Sequence, residues 1–283
     1  MRVLYIISDF IYIIVYHLLG YRKDVVMDNL EKAFPVKTNE ERIKIAKQFY
    51  HNLLDSFIET IKLLSVSNKF LGKRVTANWE ALEPIYKTGK SCQMHLGHTF
   101  NWEVGQHVLT EHTKYQILVV YMPISNKIFE KLMYTLRTRN GNIFISATNM
   151  RTEMPTFANT QYLLGLVADQ SPGSMHNAYW TNFLGRPTPF VSGPERGARA
   201  GALPVFFTSI VKPKRGYYKA SIELACEDAS VLKEGELTIA YAHYMENAIR
   251  KNPEMWLWSH RRWKHNWKPE FEKNWIGEDE PIL

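Results

Sequence analysis

Between Ser91 and Ala168, four short apolar runs alternate with three stretches of helical periodicity, and this alternation constrains the fold more than any other feature of the chain. Ser91–Leu96, Tyr115–Tyr121, Asn142–Ser146 and Tyr162–Ala168 read as strands, with helices near Asn101–Glu111, Asn126–Arg139 and Arg151–Asn159. Repeated strand–helix order predicts an α/β fold with a mostly parallel central sheet flanked by helices. Further on, Leu203–Val211 and Tyr217–Leu224 flank a Lys-Pro-Lys-Arg-Gly turn as a hairpin, and Glu236–Lys251 reads as a helix ended before Pro253. Upstream, Thr38 and Glu41 have the T-x-x-E spacing of a capping box, opening a helix whose apolar residues Ile45, Phe49, Leu53, Ile58 and Ile61 recur at helical intervals. No linker rich in Gly, Pro or Ser divides the body, so residues 22–283 are expected to form one domain.

Residues 1–21 stand apart. Val3–Gly20 is apolar except for Asp9, and as a helix it covers about 27 Å, just under the hydrocarbon core of a bilayer. Arg22 and Lys23 follow at once, and no small-residue cleavage site does, which argues against a signal peptide. The expectation is a helix that spans or lies in the membrane, with the body on the cytoplasmic side by the positive-inside tendency. A buried core helix is the alternative.

Composition agrees with a folded body and narrows the partners. Hydrophobic residues make up 45% and charged residues 22%, enough for a full core and against wholesale disorder. The net charge of +7 favours anionic partners, whether nucleic acid, phospholipid or an acidic carrier protein. Eight Trp, fifteen Tyr and fourteen Phe beside those cations suit a membrane interface and a single-stranded nucleic-acid groove equally. Cys92 and Cys226 make neither a disulfide framework nor a metal site, so a reducing compartment is expected.

The segment His95-Leu-Gly-His-Thr-Phe-Asn-Trp-Glu103 carries the chemistry. It begins where a strand ends and continues into a helix, and ligands of open α/β sheets collect at the carboxyl ends of strands. An i, i+5 pair on one regular helix points about 140° apart. With His98 still in the loop, the chain can fold back so that Glu103 meets the imidazole, fixing its tautomer and raising the basicity of the free nitrogen. Such a ring takes a proton from an attacking hydroxyl. The competing reading is a surface histidine near a helix cap.

This segment resembles the H-x4-D/E motif of the glycerolipid acyltransferases, and more closely that of the lipid A late acyltransferases of Gram-negative bacteria. Other blocks follow in the family's order. Tyr21-Arg22, Asn29-Leu30 and Phe34-Pro35 resemble its R…NL…FP signature, and Gly165–Gly173 its DQ…G strand end. Phe183–Pro187 is similar to its FFGR turn, and Pro253–Lys264 to its PEQYLWLHRRFK, with Met255 where Gln is usual. The N-terminal apolar helix is shorter than the family's. The resemblance implies a glycerolipid-acyltransferase-like fold and an O-acyltransferase with no bound cofactor. Its donor would be an acyl thioester, on acyl carrier protein or CoA, and its acceptor a lipid hydroxyl at the bacterial inner membrane. A lipid A precursor is the implied acceptor; an aminoacyl lipid such as an N-acyl glycine lipid is the alternative. A basic module that binds anionic lipid or single-stranded nucleic acid without chemistry is the reading from another class. His98, Glu103 and Asp169 at strand ends speak against it, and nucleic acid is not an expected partner.

Attack on a thioester also needs oxyanion stabilisation. Arg139 is the candidate cation, against the plain reading of a helix-terminal arginine. Asp169 and Gln170 end a strand, where the carboxylate orients the acceptor, anchors Arg139 or merely caps the loop. Gly193, Gly197 and Gly201, four apart, make a small-residue face for close packing or for an acyl chain. Arg261 and Arg262, in His260-Arg-Arg-Trp-Lys-His265, are expected to clamp phosphates or an acidic carrier surface, the alternative being a solvated basic tail. There is no G-x-S-x-G elbow and no phosphate loop, and His95-x-x-His98 lacks a third ligand, so neither an acyl-enzyme nor a zinc site is expected.

Overall fold

The computed structural model describes residues 1–282. Three helices open the chain, α1 (Arg2–Tyr12), α2 (Lys23–Ala33) and α3 (Asn39–Lys62). Thr38 accepts from the Glu41 amide and the Glu41 carboxylate from the Thr38 amide, so α3 starts on the capping box its sequence announces. Short helices α4 (Asn68–Gly72) and α5 (Glu83–Lys87) flank strand β1 (Val75–Thr76). The alternating region follows as β2 (Cys92–Leu96), α6 (Trp102–His112), β3 (Gln116–Tyr121), α7 (Lys127–Thr138), β4 (Ile143–Ser146), α8 (Met150–Glu153) and β5 (Tyr162–Val167). The rest is β6 (Ala178–Phe183), β7 (Arg186–Val191), α9 (Gly193–Ala200), β8 (Val205–Lys214), β9 (Tyr217–Cys226) and α10 (Glu236–Lys251).

Seven strands form one sheet in the order β1-β9-β8-β2-β5-β3-β4. All neighbours run parallel except β8 and β9, the expected hairpin, so the sheet is mostly parallel as its sequence predicts. Central β2 is buried at four of its five positions, the continuous apolar pattern of a strand covered on both faces. Gly197 of α9 meets β2 so closely that a Cβ there would lie 3.3 Å from the Gln93 side chain, whereas a Cβ at Gly193 would meet nothing and one at Gly201 mainly Leu203, so close packing against the strand holds at Gly197 alone. Two elements differ from the sequence reading. The helix expected over Arg151–Asn159 is α8 followed by a 3-10 turn, because Pro155 cannot continue an α-helical ladder. The β6–β7 hairpin went unread: Pro187 and Pro189 disguise β7, and proline is tolerated there because the hairpin is a separate two-stranded sheet.

The N-terminal segment is helical from Arg2 to Leu18, its last six residues with π geometry, and then bends by 84° into α2. Gly20 and Arg22 take positive φ at the bend. Among the described residues no single helix is long and apolar enough to cross a membrane; only this bent pair passes by length and composition. The expectation of a spanning helix is corrected to that extent. Helix α1 runs antiparallel along α3: the Tyr5 hydroxyl donates to Glu59, the Ser8 hydroxyl donates to Asp55, and the Tyr12 ring stacks on His51. Its polar side faces the body, while Val3, Ile6, Phe10 and Ile13 face outward.

Candidate active site

Strand register builds the site. In the parallel pair β2–β5, Leu96 lies opposite Val167, and His98 and Asp169 each come two residues later. The two loops leave the sheet side by side, and the imidazole meets the carboxylate without any adjustment of the helices. His98 Nδ1 donates to Asp169 Oδ1 at 2.5 Å, and the His98 backbone amide donates to Oδ2 at 2.8 Å. The Trp256 indole N–H donates to the same Oδ2 at 2.6 Å. Gly97 makes this approach possible, since a Cβ there would lie 3.0 Å from Asp169 Oδ2 and 2.1 Å from the Met245 methyl.

The electrostatics follow from burial. Asp169 is 1% exposed, and burial alone would raise its carboxyl; His98, the Trp256 indole and the His98 amide together hold it below its ordinary value. The anion therefore persists in the interior, and it keeps the Nδ1–H tautomer of His98. The imidazole side chain is 24% exposed, so the ring reaches solvent on the side away from Asp169. His95, by contrast, is fully buried, accepts or donates only to Gln93, and is pushed down to about 3 by burial. It stays neutral and inside.

This geometry corrects the pairing expected from the H-x4-E spacing. Glu103, in the first turn of α6, does not bond His98. It receives Arg137 instead, from Nη2 at 2.6 Å and from Nε at 3.1 Å. Burial pushes the Glu103 carboxyl up against the pull of Arg137, and the charge of His98 is close enough to act on it. The reason is geometric: the α6 axis turns Glu103 toward α7, whereas the parallel register turns Asp169 toward His98. Arg139 is corrected as well. Its guanidinium donates to the Leu63 carbonyl at the end of α3, so it neither reaches Asp169 nor supplies the cation beside Glu103. Arg137, two residues earlier, does that. Gln170 lies partly exposed at the edge of the same loop.

The C-terminal cations divide. Arg261 is exposed, as a phosphate or protein clamp requires. Arg262 is not: it is fully buried against the Phe190 ring, 4.6 Å from its centroid, and burial brings its guanidinium down to about 10 against the opposing pull of Asp169. A surface role for Arg262 is excluded, while Arg261 and Lys264 meet solvent as either reading of that segment requires. Trp256, unassigned from the sequence, is the site residue that sequence reasoning missed. Its only signal was a tryptophan inside the Pro253–Lys264 block. Arg137 was also missed, hidden by the neighbouring Arg139 in an R-T-R run. Among the described residues no group of three His, Cys, Asp or Glu side chains is arranged to hold a metal ion.

A solvent-facing imidazole set by a buried carboxylate, at the carboxyl ends of a mostly parallel sheet, defines the class: an α/β protein equipped for proton transfer from an attacking group. The family model of bacterial lipid A biosynthesis acyltransferases matches residues 1–265, and the chain belongs to that family. It is accordingly an acyltransferase acting on a lipid acceptor in lipid A biosynthesis, and the non-catalytic binding module is set aside. No curated protein matches the chain.

Proposed function

We propose that the protein transfers a fatty acyl chain from an acyl thioester, carried by acyl carrier protein, to a hydroxyl of a lipid A precursor at the bacterial inner membrane. The observation that carries this reading is His98, with Nδ1 committed to Asp169 and Nε2 free. Nε2 takes the proton of the acceptor hydroxyl as its oxygen attacks the thioester carbonyl. Asp169 stabilises the imidazolium that forms. The tetrahedral intermediate then expels the thiolate, to which Nε2 returns the proton. No acyl-enzyme is required. Glu103 and Arg137 form the rim of this site, and Arg137 is the cation available to the developing oxyanion.

Two further features support the donor and the location. Under α6, a narrow apolar cavity of about 60 Å³ is lined by Met94, Leu96, Leu109, Ile117, Val119 and Leu163. It lies across neighbouring strands, with Leu96 two residues before His98 and Trp102 next to Glu103 in its lining, and it suits an acyl chain once the lining side chains part. The outward apolar row of α1, with Arg22 and Lys23 beyond the bend that follows it, suits a helix lying in the interface with the catalytic body on the cytoplasmic side. Exposed Arg261 and the net positive charge suit the acidic carrier and the phosphates of the acceptor.

The test is transfer of a labelled acyl group from acyl carrier protein, with lipid A precursor and N-acyl glycine lipid offered in parallel to the purified, detergent-solubilised protein. Labelled lipid A precursor is the expected product. Labelling of the glycine lipid alone would reassign the acceptor, and labelling of neither would defeat the reading.

A further inference from the structure

We infer that Glu59 is a positioning residue that ties the N-terminal helix α1 to the loop carrying His98. The inference rests on the acyl-transfer reading of that loop. Glu59 is 5% exposed on α3 and touches no reacting group. Its Oε1 accepts from the Tyr5 hydroxyl of α1 at 2.7 Å. Its Oε2 accepts from the Tyr218 hydroxyl of β9 at 2.5 Å and from the Asn101 side-chain amide at 3.1 Å. Asn101 lies between His98 and Glu103, is itself buried, and caps α6 by accepting from the Val104 amide. One carboxylate thus joins the first helix of the chain, strand β9 of the sheet and the middle of the loop that carries His98.

Two observations separate this from ordinary scaffolding. First, α1 does not need Glu59 to stay on the body. Arg215 binds Asp9 of α1 and Asp55 of α3 at once, and Ser8 bonds Asp55, so the helix is already fastened one turn away. Second, a carboxylate is an expensive way to fill this space. Burial pushes its carboxyl up even though all three donors favour the anion, and an apolar side chain of similar volume would pack there without that cost. What the carboxylate adds is direction: three donors converging on two oxygens hold Asn101, and through it the start of α6, in one place. Phe100, next to Asn101, rests on Phe49 of α3, so the loop is held from the same helix by an apolar contact as well.

The experiment compares the full-length protein with Tyr5→Phe, Asn101→Ser and the double variant. Phenylalanine removes only the α1 hydroxyl, and serine keeps an oxygen to cap α6 while losing the amide that reaches Glu59. Each loss of one hydrogen bond is expected to lower kcat by about 3- to 10-fold with KM for the acyl thioester unchanged. The double variant should fall no further than Asn101→Ser alone, because both act through one carboxylate. Glu59→Gln, whose amide still bridges hydroxyls that can reverse their bonds, should keep more activity than Glu59→Leu. Backbone amides of residues 97–103 should exchange faster in Tyr5→Phe while those of α1 stay protected. Wild-type kcat and exchange in Tyr5→Phe, or additive losses in the double variant, would overturn the inference. Should the wild type transfer no acyl group at all, the acyl-transfer reading fails, and the exchange comparison decides the coupling alone.

Discussion

Asp55 and Asp169 are each 1% exposed and each is met by several donors, yet they serve different ends. Asp55 is enclosed by Arg215, Lys212 and the Ser8 hydroxyl, and its principal partners are permanent cations. The work of that cluster is to hold α1 and the β8–β9 hairpin onto α3. Asp169 holds one imidazole, a ring whose other nitrogen remains open to solvent. Burial of a carboxylate is common to both. The difference that marks a reactive site is a partner with something left to give.

The contrast can be broken at either aspartate. The largest effect is expected at the His98 pair: His98→Ala and Asp169→Asn should each lower single-turnover acyl transfer by about 10²- to 10⁴-fold. Their double variant should be little worse than His98→Ala, because the two act as one unit. Thermal unfolding serves as the control, and a folded Asp169→Asn protein with near wild-type turnover would show that Asp169 resembles Asp55 after all.

Asp55→Ala should do the opposite. It leaves Arg215 and Lys212 without their buried anion, and because Arg215 is a third exposed the cost is set below that of a fully buried pair, at about 2–3 kcal/mol of unfolding free energy. Urea unfolding measures this, and an unchanged midpoint would remove the cluster from the stabilising contacts. Smaller again is Glu103→Gln. Arg137 keeps one acceptor there, so kcat should fall by about 10-fold, or ~1.4 kcal/mol. A loss as deep as that of Asp169→Asn would restore Glu103 as the partner of the imidazole during the reaction.

The smallest effect is read as a pH slope. Burial holds His95 at about 3, and His107 and His260 at about 4, all below the ordinary value near 6.5. The unfolded chain takes up protons below about pH 6.5 that the folded chain refuses, so the stability these rings contribute is whole above that pH and is lost as pH falls toward 4. Each steepens the loss of stability across that window, and the partly exposed His260 contributes the smallest share because solvent screens it. His260→Asn should flatten the decline of the urea midpoint between pH 6.5 and 4 by one such share, and an unaltered slope would place His260 with the solvent-accessible rings.

Much of this molecule is legible without its structure. The parallel strands, the β8–β9 hairpin, the capping box of α3 and the span of α10 follow from local periodicity, turn chemistry and caps, which a sequence records directly. His98 is legible for the same reason, since a strand end followed by a helix start is a local signal. Partners are another matter. The spacing within residues 98–103 pointed to Glu103, while the carboxylate that receives His98 is 71 residues away and arrives only because β5 pairs with β2 in a given register.

The choice among cations was likewise undecided locally. Arg137 and Arg139 differ by two positions on one helix end, yet one turns to Glu103 and the other to the Leu63 carbonyl. Arg261 and Arg262 are adjacent, yet one meets solvent and the other Phe190. The apolar N-terminal stretch declared a helix, but which of its sides would face the body depended on Arg215 and Glu59, far along the chain. What the sequence determined by itself was the kind of elements and where His98 stands among them, because backbone preference acts over a few residues. Which carboxylate, cation and helix face meet was decided by sheet register and helix orientation, because those bring together side chains that no local pattern connects.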